Sequence, residues 1–308
     1  MAALMSDTRS TTPKAESKRA VFAKRTASTL LLWGVVAGTL VSMKAWAYLA
    51  LVAVLAMLAT REYFKMMRAA GVSCFPRFGI LIAAGYSAAL YWQLMGGGGG
   101  VPGGIDALAV FAAVTVAFAL QLREPVRGVE SLTSVAVNLL GFVYVAFLFN
   151  FCARIIFIGP GEGEVPGAFL LLWLLAVTKF TDMGAYIIGS LIGRHKMIPH
   201  ISPGKTWEGF AGAILFSQLA ACGLFFFLPE QLAVLGGWGH VVFLGFLLCI
   251  LAVIGDLAES VVKRAVQAKD SGQMLPGIGG ALDLVDSVCF TAPALFFYLI
   301  WVLLPASS

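Results

Sequence analysis

Ionisable side chains are concentrated near the C-terminal end of a chain that is otherwise very apolar. Residues 255–287 combine carboxylates, Lys and Arg side chains and the glycine-rich stretch 277–280. Ionisable residues are costly near hydrocarbon, so we expect them to have a use there. Carboxylates next to cations suit phosphate groups and a divalent metal. The segment therefore predicts phosphate chemistry at a membrane.

The composition indicates a polytopic membrane protein. Of 308 residues, 60% are hydrophobic and 12% are charged, and the mean hydropathy is +0.91. Soluble domains carry about 25% charged residues. We predict an all-α fold with about nine transmembrane helices. The predicted spans are 27–43, 45–60, 78–95, 105–121, 132–153, 166–190, 207–228, 240–262 and 285–304.

Three regions follow from this pattern. Residues 1–26 form a basic tail, 27–160 the N-terminal transmembrane helices and 161–308 a C-terminal catalytic region. Eighteen Lys and Arg residues fall in the tail and in the loops of one side, whereas the loops of the other side contain only Lys44. The positive-inside rule then places the tail and the 192–206 loop in the cytoplasm.

Acids and bases occur together three times on the predicted cytoplasmic side. Lys179 and Asp182 are three residues apart, so they share a helix face and either neutralise each other or line a polar site. Ser202, Lys205 and Thr206 precede a predicted helix whose N-terminus favours anions such as phosphate. Glu208, which follows them, is also predicted to contact substrate. Ser202 could equally be only a helix cap, and Glu208 only a partner of the helix dipole.

The third group is the 255–287 segment itself. We predict that Asp256 and Asp283 hold Mg²⁺ together, because Mg²⁺ prefers a few carboxylates plus substrate phosphate oxygens. These acids could instead be only charged helix ends. The remaining polar candidates in the segment are Glu259, Ser260, Lys263, Arg264, Lys269, Asp270 and Asp286, with Gly279 and Gly280 in the loop.

At these residues the chain resembles the phosphatidate cytidylyltransferases, the CDP-diacylglycerol synthases. The family motif S-x-x-K-R, then K-D, P-G-H-G-G and D-R-x-D, is matched from Ser260 to Asp286. Residues 182–186 resemble D-T-G-A-Y, and 201–209 resemble I-S-P-K-K-T-W-E-G. The match covers 179–287, about a third of the chain. Four positions depart from the family pattern: Met183, Gly204, Ile278 and Leu284.

The resemblance implies the reaction of CTP with phosphatidate to give CDP-diacylglycerol and diphosphate, with Mg²⁺ as cofactor. It implies that Asp256 and Asp283 bind the metal and that Lys205, Lys263, Arg264 and Lys269 hold phosphates. Asp182 and Asp286 would shape the cavity or hold a second cation. The loss of the His and Arg at 278 and 284 puts efficiency or substrate preference in question.

Two alternatives remain from the sequence. A CTP-dependent lipid-alcohol kinase would transfer the γ-phosphoryl group instead, and a transporter would carry ions or anions on its buried charges. A transporter should place charges at both faces, whereas here they cluster at one. We expect an integral protein of a bacterial-type inner membrane whose partners are CTP, phosphatidate and membrane lipid. We do not expect nucleic acid among the partners. The expected oligomeric forms include a homodimer.

Overall fold

A computed structural model describes residues 34–96, 103–159, 163–268, 271–272 and 279–304. In this part of the chain the protein is almost wholly helical, so the predicted fold class is confirmed. The helices are α1 (residues 34–42), α2 (Ala45–Ala69), α3 (Pro76–Leu94), α4 (Gly104–Gln121), α5 (Val129–Ile155), α6 (Ala168–Ile192), α7 (Trp207–Phe227), α8 (Trp238–Ala265) and α9 (Ala281–Leu303).

The predicted number of nine spans is not confirmed. Within the described residues, seven helices are long and apolar enough to cross a membrane, namely α2 and α4–α9. Helix α3 has 19 residues but is not among these seven. Part of the first predicted span, 27–43, lies outside the described residues. The whole basic tail also lies outside them.

Two short strands depart from the all-α prediction. β1 (Lys196–Ile198) and β2 (Ser202–Thr206) pair antiparallel between α6 and α7. This hairpin leads directly into α7, whose first turn is capped by Thr206, because its Oγ1 accepts a hydrogen bond from the Gly209 N–H at 3.1 Å. Thr206, rather than Ser202, is therefore the capping residue.

Glycines let α6 and α7 approach closely where the hairpin begins. A Cβ on Gly189 would lie 3.5 Å from the Gly209 Cα and 3.3 Å from the Thr206 Oγ1. Small residues at such positions permit tight helix packing in membranes. The G-x-x-x-G pattern at Gly189 and Gly193 is thus a packing contact that holds the end of the hairpin against α6.

Ion pairs join helices at the end of the bundle away from the hairpin. Asp106 on α4 pairs with Arg154 at the end of α5, at 2.5 Å. Lys44 donates to Glu164 at 2.8 Å, and the Glu164 carboxylate also accepts the Ala45 N–H at 3.1 Å. These contacts, led by the hydrogen bond from Lys44, hold the pKa of Glu164 below its usual value. Glu164 therefore caps α2 from another segment.

Candidate active site

An ion pair joins the hairpin to α8. Lys205 on β2 lies with its Nζ 2.9 Å from the Asp256 Oδ2, and the same Nζ donates to the Val253 carbonyl at 3.3 Å. The Lys205 side chain is only 19% exposed. The ammonium and the carboxylate therefore lie together at the edge of the protein interior.

Asp256 of this pair also belongs to a group of three carboxylates. Asp256 and Glu259 lie one turn apart on α8, and Asp286 lies in the bend of α9. One oxygen from each lies within 4.8 Å of the other two. Gly255 makes this possible, because a Cβ there would come within 2.8 Å of the Asp286 carbonyl oxygen and the Ser287 Cα. The glycine thus lets α9 pack against the α8 backbone.

Asp283 lies in a different arrangement from the one predicted. Its Oδ1 lies 3.0 Å from the Lys263 Nζ, and its Oδ2 accepts the Gly280 N–H at 2.7 Å. Lys263 also donates to the Glu259 Oε2 at 2.7 Å. Both Asp283 oxygens thus have protein partners, and the three-carboxylate group contains Asp256 but not Asp283.

The glycine loop before α9 is shaped by Asp283. Gly279 has φ 106°, a conformation that L side chains rarely adopt, and a Cβ there would lie 2.7 Å from the Asp283 Oδ2. Glycine is therefore required at this position. The remaining predicted loop residues, Lys269 and Asp270, lie outside the described part of the chain.

Lys179 and Asp182 of α6 face the same region. Their Nζ and Oδ2 atoms are 3.7 Å apart, and Lys179 also donates to the Leu284 carbonyl at 3.1 Å. This second contact ties α6 to α9. Lys179 is thus placed to neutralise Asp182, and of the two residues only Asp182 is among those that line the cavity described below.

Arg264, Ser260 and Glu208 are three further residues that the sequence predicted for the site. The Arg264 Nε donates to the Ile201 carbonyl in the hairpin at 3.3 Å, and Ser260 is half-buried on α8. Glu208 accepts hydrogen bonds from the Arg194 N–H at 3.1 Å and the His195 N–H at 3.2 Å. Its described contacts thus brace the start of the hairpin, and the substrate contact predicted for it stays a prediction.

A cavity of about 400 Å³ opens between α6, the hairpin and α7. Small-molecule sites typically measure about 300–1,000 Å³. Its lining includes the charged residues Lys205, Asp256 and Asp182 and the aromatic residues Tyr186 and Phe210. Ser202, Gly204 and Thr206 are also in contact with it. The cavity therefore combines charged and aromatic side chains.

The carboxylate group has the chemistry of a cation site. Glu259 is 2% exposed and Asp286 is 5% exposed, and the buried Glu259 Oε1 has no hydrogen-bond partner in the described part of the chain. Mg²⁺ and Ca²⁺ take oxygen ligands of this type. An unpaired buried carboxylate oxygen is costly, and a bound cation would remove that cost. The donor set therefore fits a divalent metal.

One residue near the site was missed by sequence reasoning. Glu62 on α2 accepts the Leu282 N–H at 3.1 Å, at the first turn of α9. Glu62 is the only acid of α2, but it lies between Arg61 and Lys65 at the basic end of the helix, so the local pattern gave no signal of a site.

The comparison with known protein families decides the assignment. The sequence profile described as "Cytidylyltransferase family" matches residues 23–302. The chain belongs to the cytidylyltransferase family. The resemblance read from the three motifs is confirmed, and the predicted enzyme class, a nucleotidyltransferase, is confirmed with it.

Relatives support the same assignment. The chain is 31% identical over 264 residues to a phosphatidate cytidylyltransferase of Mycobacterium bovis, covering 82% of this chain and 80% of that protein. It is 39% identical over 159 residues to a phosphatidate cytidylyltransferase of Staphylococcus haemolyticus, covering 52% and 56%. It is 35% identical over 159 residues to the uncharacterized protein YnbB of Escherichia coli, covering 52% and 51%. The chain thus spans about half the length of two of these relatives.

Proposed function

We propose that this integral membrane protein is a phosphatidate cytidylyltransferase. The observation that carries the proposal is the Lys205–Asp256 pair in the lining of this cavity, with Asp256 also grouped with the Glu259 and Asp286 carboxylates. A cavity lined by both charged and aromatic side chains suits a lipid that carries a phosphate head group. The names of the relatives supply the substrate class.

The proposed reaction joins two anions. A phosphate oxygen of phosphatidate forms a bond to the α-phosphorus of CTP, the α–β bridging P–O bond breaks, and diphosphate leaves. A phosphate monoester carries an anionic oxygen at pH 7, so the nucleophile needs no general base. Catalysis therefore rests on charge neutralisation and in-line positioning, as in other phosphoryl-group chemistry.

Lys205 and Lys263 would supply the positive charge for this reaction. Lys205 faces the cavity and is held by Asp256, so its ammonium is placed to contact a substrate phosphate. Lys263 has two acidic partners, Glu259 and Asp283, which hold its charge at the junction of α8 and α9. Fixed cations of this kind stabilise charge that develops on transferred phosphates without reorganisation during the reaction.

Mg²⁺ is part of the proposal. Asp256 and Asp286, with Glu259, would hold it, and Asp283 would support the loop and Lys263 rather than the metal. A divalent ion would supply Lewis-acid stabilisation of phosphate oxygens. This assignment replaces Asp283 by Asp286 in the pair proposed from the sequence. A second cation and a homodimer stay predictions.

The active site is proposed to face the cytoplasm of a bacterial-type inner membrane. The supporting observation is the bias of Lys and Arg toward the hairpin side. CTP is a cytosolic nucleotide, so a site on that side would meet its soluble substrate directly.

The decisive experiment uses purified protein in detergent with phosphatidate, Mg²⁺ and CTP labelled at either the α- or the γ-phosphate. We expect α-label in the lipid fraction and γ-label released as diphosphate. Lipid that carries γ-label would instead indicate the CTP-dependent lipid-alcohol kinase. Absence of both labels from lipid would contradict the proposal.

A further inference from the structure

Glu62 links the N-terminal helices to the loop that precedes α9. It belongs to α2, more than two hundred residues away in sequence, yet its Oε2 accepts the Leu282 N–H at 3.1 Å. Leu282 lies in the first turn of α9, where backbone N–H groups have no partner within the helix. A carboxylate at this point is also favoured by the helix dipole. Glu62 therefore caps α9 from another helix.

Two glycines give the Glu62 carboxylate its space. A Cβ built at Gly272 would collide with the carboxylate, and its three nearest atoms all belong to Glu62. A Cβ at Gly280 would lie 2.5 Å from the Glu62 Oε2. Gly272 and Gly280 flank the segment 273–278, which lies outside the described residues. The residues before and after this segment thus both pack against the Glu62 carboxylate.

The same turn of α9 carries the acidic side chains of the candidate site. Asp283 follows Leu282 directly and anchors Lys263, and Asp286 lies one turn further on in the carboxylate group. A shift of the first turn of α9 would move both acids together. Misplacement by about 1 Å can cost about a hundredfold in rate, because the reacting groups must be held in line.

We propose that Glu62 is a positioning residue that fixes the first turn of α9, and with it Asp283 and Asp286, by accepting the Leu282 N–H in the space left by Gly272 and Gly280. Its part in turnover rests on the proposed function, whereas its effect on the backbone does not. Glu62 acts through α9 and contacts no substrate in this assignment.

Hydrogen–deuterium exchange tests the contact without substrate. The experiment follows the peptide that spans residues 279–285 in detergent-purified wild type, Glu62→Ala, Glu62→Gln and Gly272→Ala. We expect faster exchange in Glu62→Ala and Gly272→Ala, because the first loses the acceptor and the second displaces it. We expect near wild-type exchange in Glu62→Gln, since its amide oxygen can still accept the N–H. Arg61→Gln, an exposed neighbour on α2, is the matched control and should not change.

Turnover tests the consequence for the site. We expect Glu62→Ala to lower kcat about tenfold or more, with KM for CTP changed less than about threefold, and Glu62→Gln to recover most of the loss. Gly272→Ala should behave like Glu62→Ala. Adding it to Glu62→Ala should change activity by less than about twofold, because the atoms with which its Cβ collides are gone.

The two readouts separate the inference from the proposed function. Unchanged exchange in both Glu62→Ala and Gly272→Ala would overturn the positioning role, and so would additive losses of activity in the double variant. A wild-type protein that transfers no cytidylyl group, with exchange behaving as expected, would contradict the proposed function and leave the Glu62 contact standing.

Discussion

Lys263 on α8 holds Asp283 on α9 through a contact of 3.0 Å between Nζ and Oδ1, while Glu259 holds the same Nζ at 2.7 Å. The Lys263 side chain is 17% exposed, so this network is largely buried. One ammonium is thus shared by two acids from different helices. Asp283 therefore contacts Lys263, whereas Asp286, three residues later, belongs to the carboxylate group.

Substitution of these acids should distinguish a metal ligand from a support residue. We expect Asp256→Asn and Asp286→Asn each to lower turnover about a hundredfold or more and to raise the Mg²⁺ concentration needed for half-maximal rate. Asp283→Asn should lower turnover while leaving the Mg²⁺ dependence close to wild type, because its oxygens contact Lys263 and Gly280. Initial rates across a Mg²⁺ titration measure both effects. A shifted Mg²⁺ dependence in Asp283→Asn alone would restore the pair proposed from the sequence.

Lys205 and Asp256 should act as a unit. We expect Lys205→Gln to lower kcat/KM about a hundredfold, because it removes a cation from the cavity and leaves the Asp256 charge without its partner. The variant Lys205→Gln/Asp256→Asn should be little worse than either single variant, since groups that act together are not additive. Lys205→Arg serves as the charge-conserving control. Independent, multiplying losses would show that the ion pair has no joint role.

We expect Glu208 to affect activity by holding the start of the hairpin in place. Its carboxylate accepts two backbone N–H groups and lies 2.6 Å from the His195 Nδ1. We expect Glu208→Ala to lower activity clearly, because all three partners lose their acceptor, and His195→Asn to have a small effect, because the backbone contacts remain. Steady-state rates at saturating CTP measure this. Equal losses in the two variants would place the important contact at the His195 ring instead.

The sequence pointed to Lys205 and Asp256 as site candidates for a physical reason, and their roles stay predictions. Ionisable residues are so costly in an apolar chain that their positions mark a polar site without any knowledge of the fold. The ion pair between Lys205 and Asp256 unites two motifs about fifty residues apart, and both were identified from local pattern alone.

The partners within that site could not be predicted in the same way. Asp283 and Asp286 are close neighbours in the sequence, and both follow Asp256 after the rest of α8 and the loop before α9. Only the bend of α9 and the close packing at Gly255 decide which carboxylate reaches it. Glu62 was missed because its role depends on a contact between the first and second halves of the chain, which local spacing does not encode.

The orientation of the chain can be tested at the two ends of α7. The exposed His200 lies in the hairpin before this helix, and the exposed Glu230 lies in the loop after it. The positive-inside rule places His200 in the cytoplasm and Glu230 on the opposite side, because the basic residues cluster near the hairpin. Single cysteines, His200→Cys and Glu230→Cys, should therefore differ in labelling by a membrane-impermeant thiol reagent added to intact cells. The background replaces the native cysteines, all of which are free within the described residues. We expect Glu230→Cys to be modified in intact cells and His200→Cys only after the membrane is opened. Labelling of His200→Cys from outside would invert the topology and move the candidate site away from its cytosolic nucleotide.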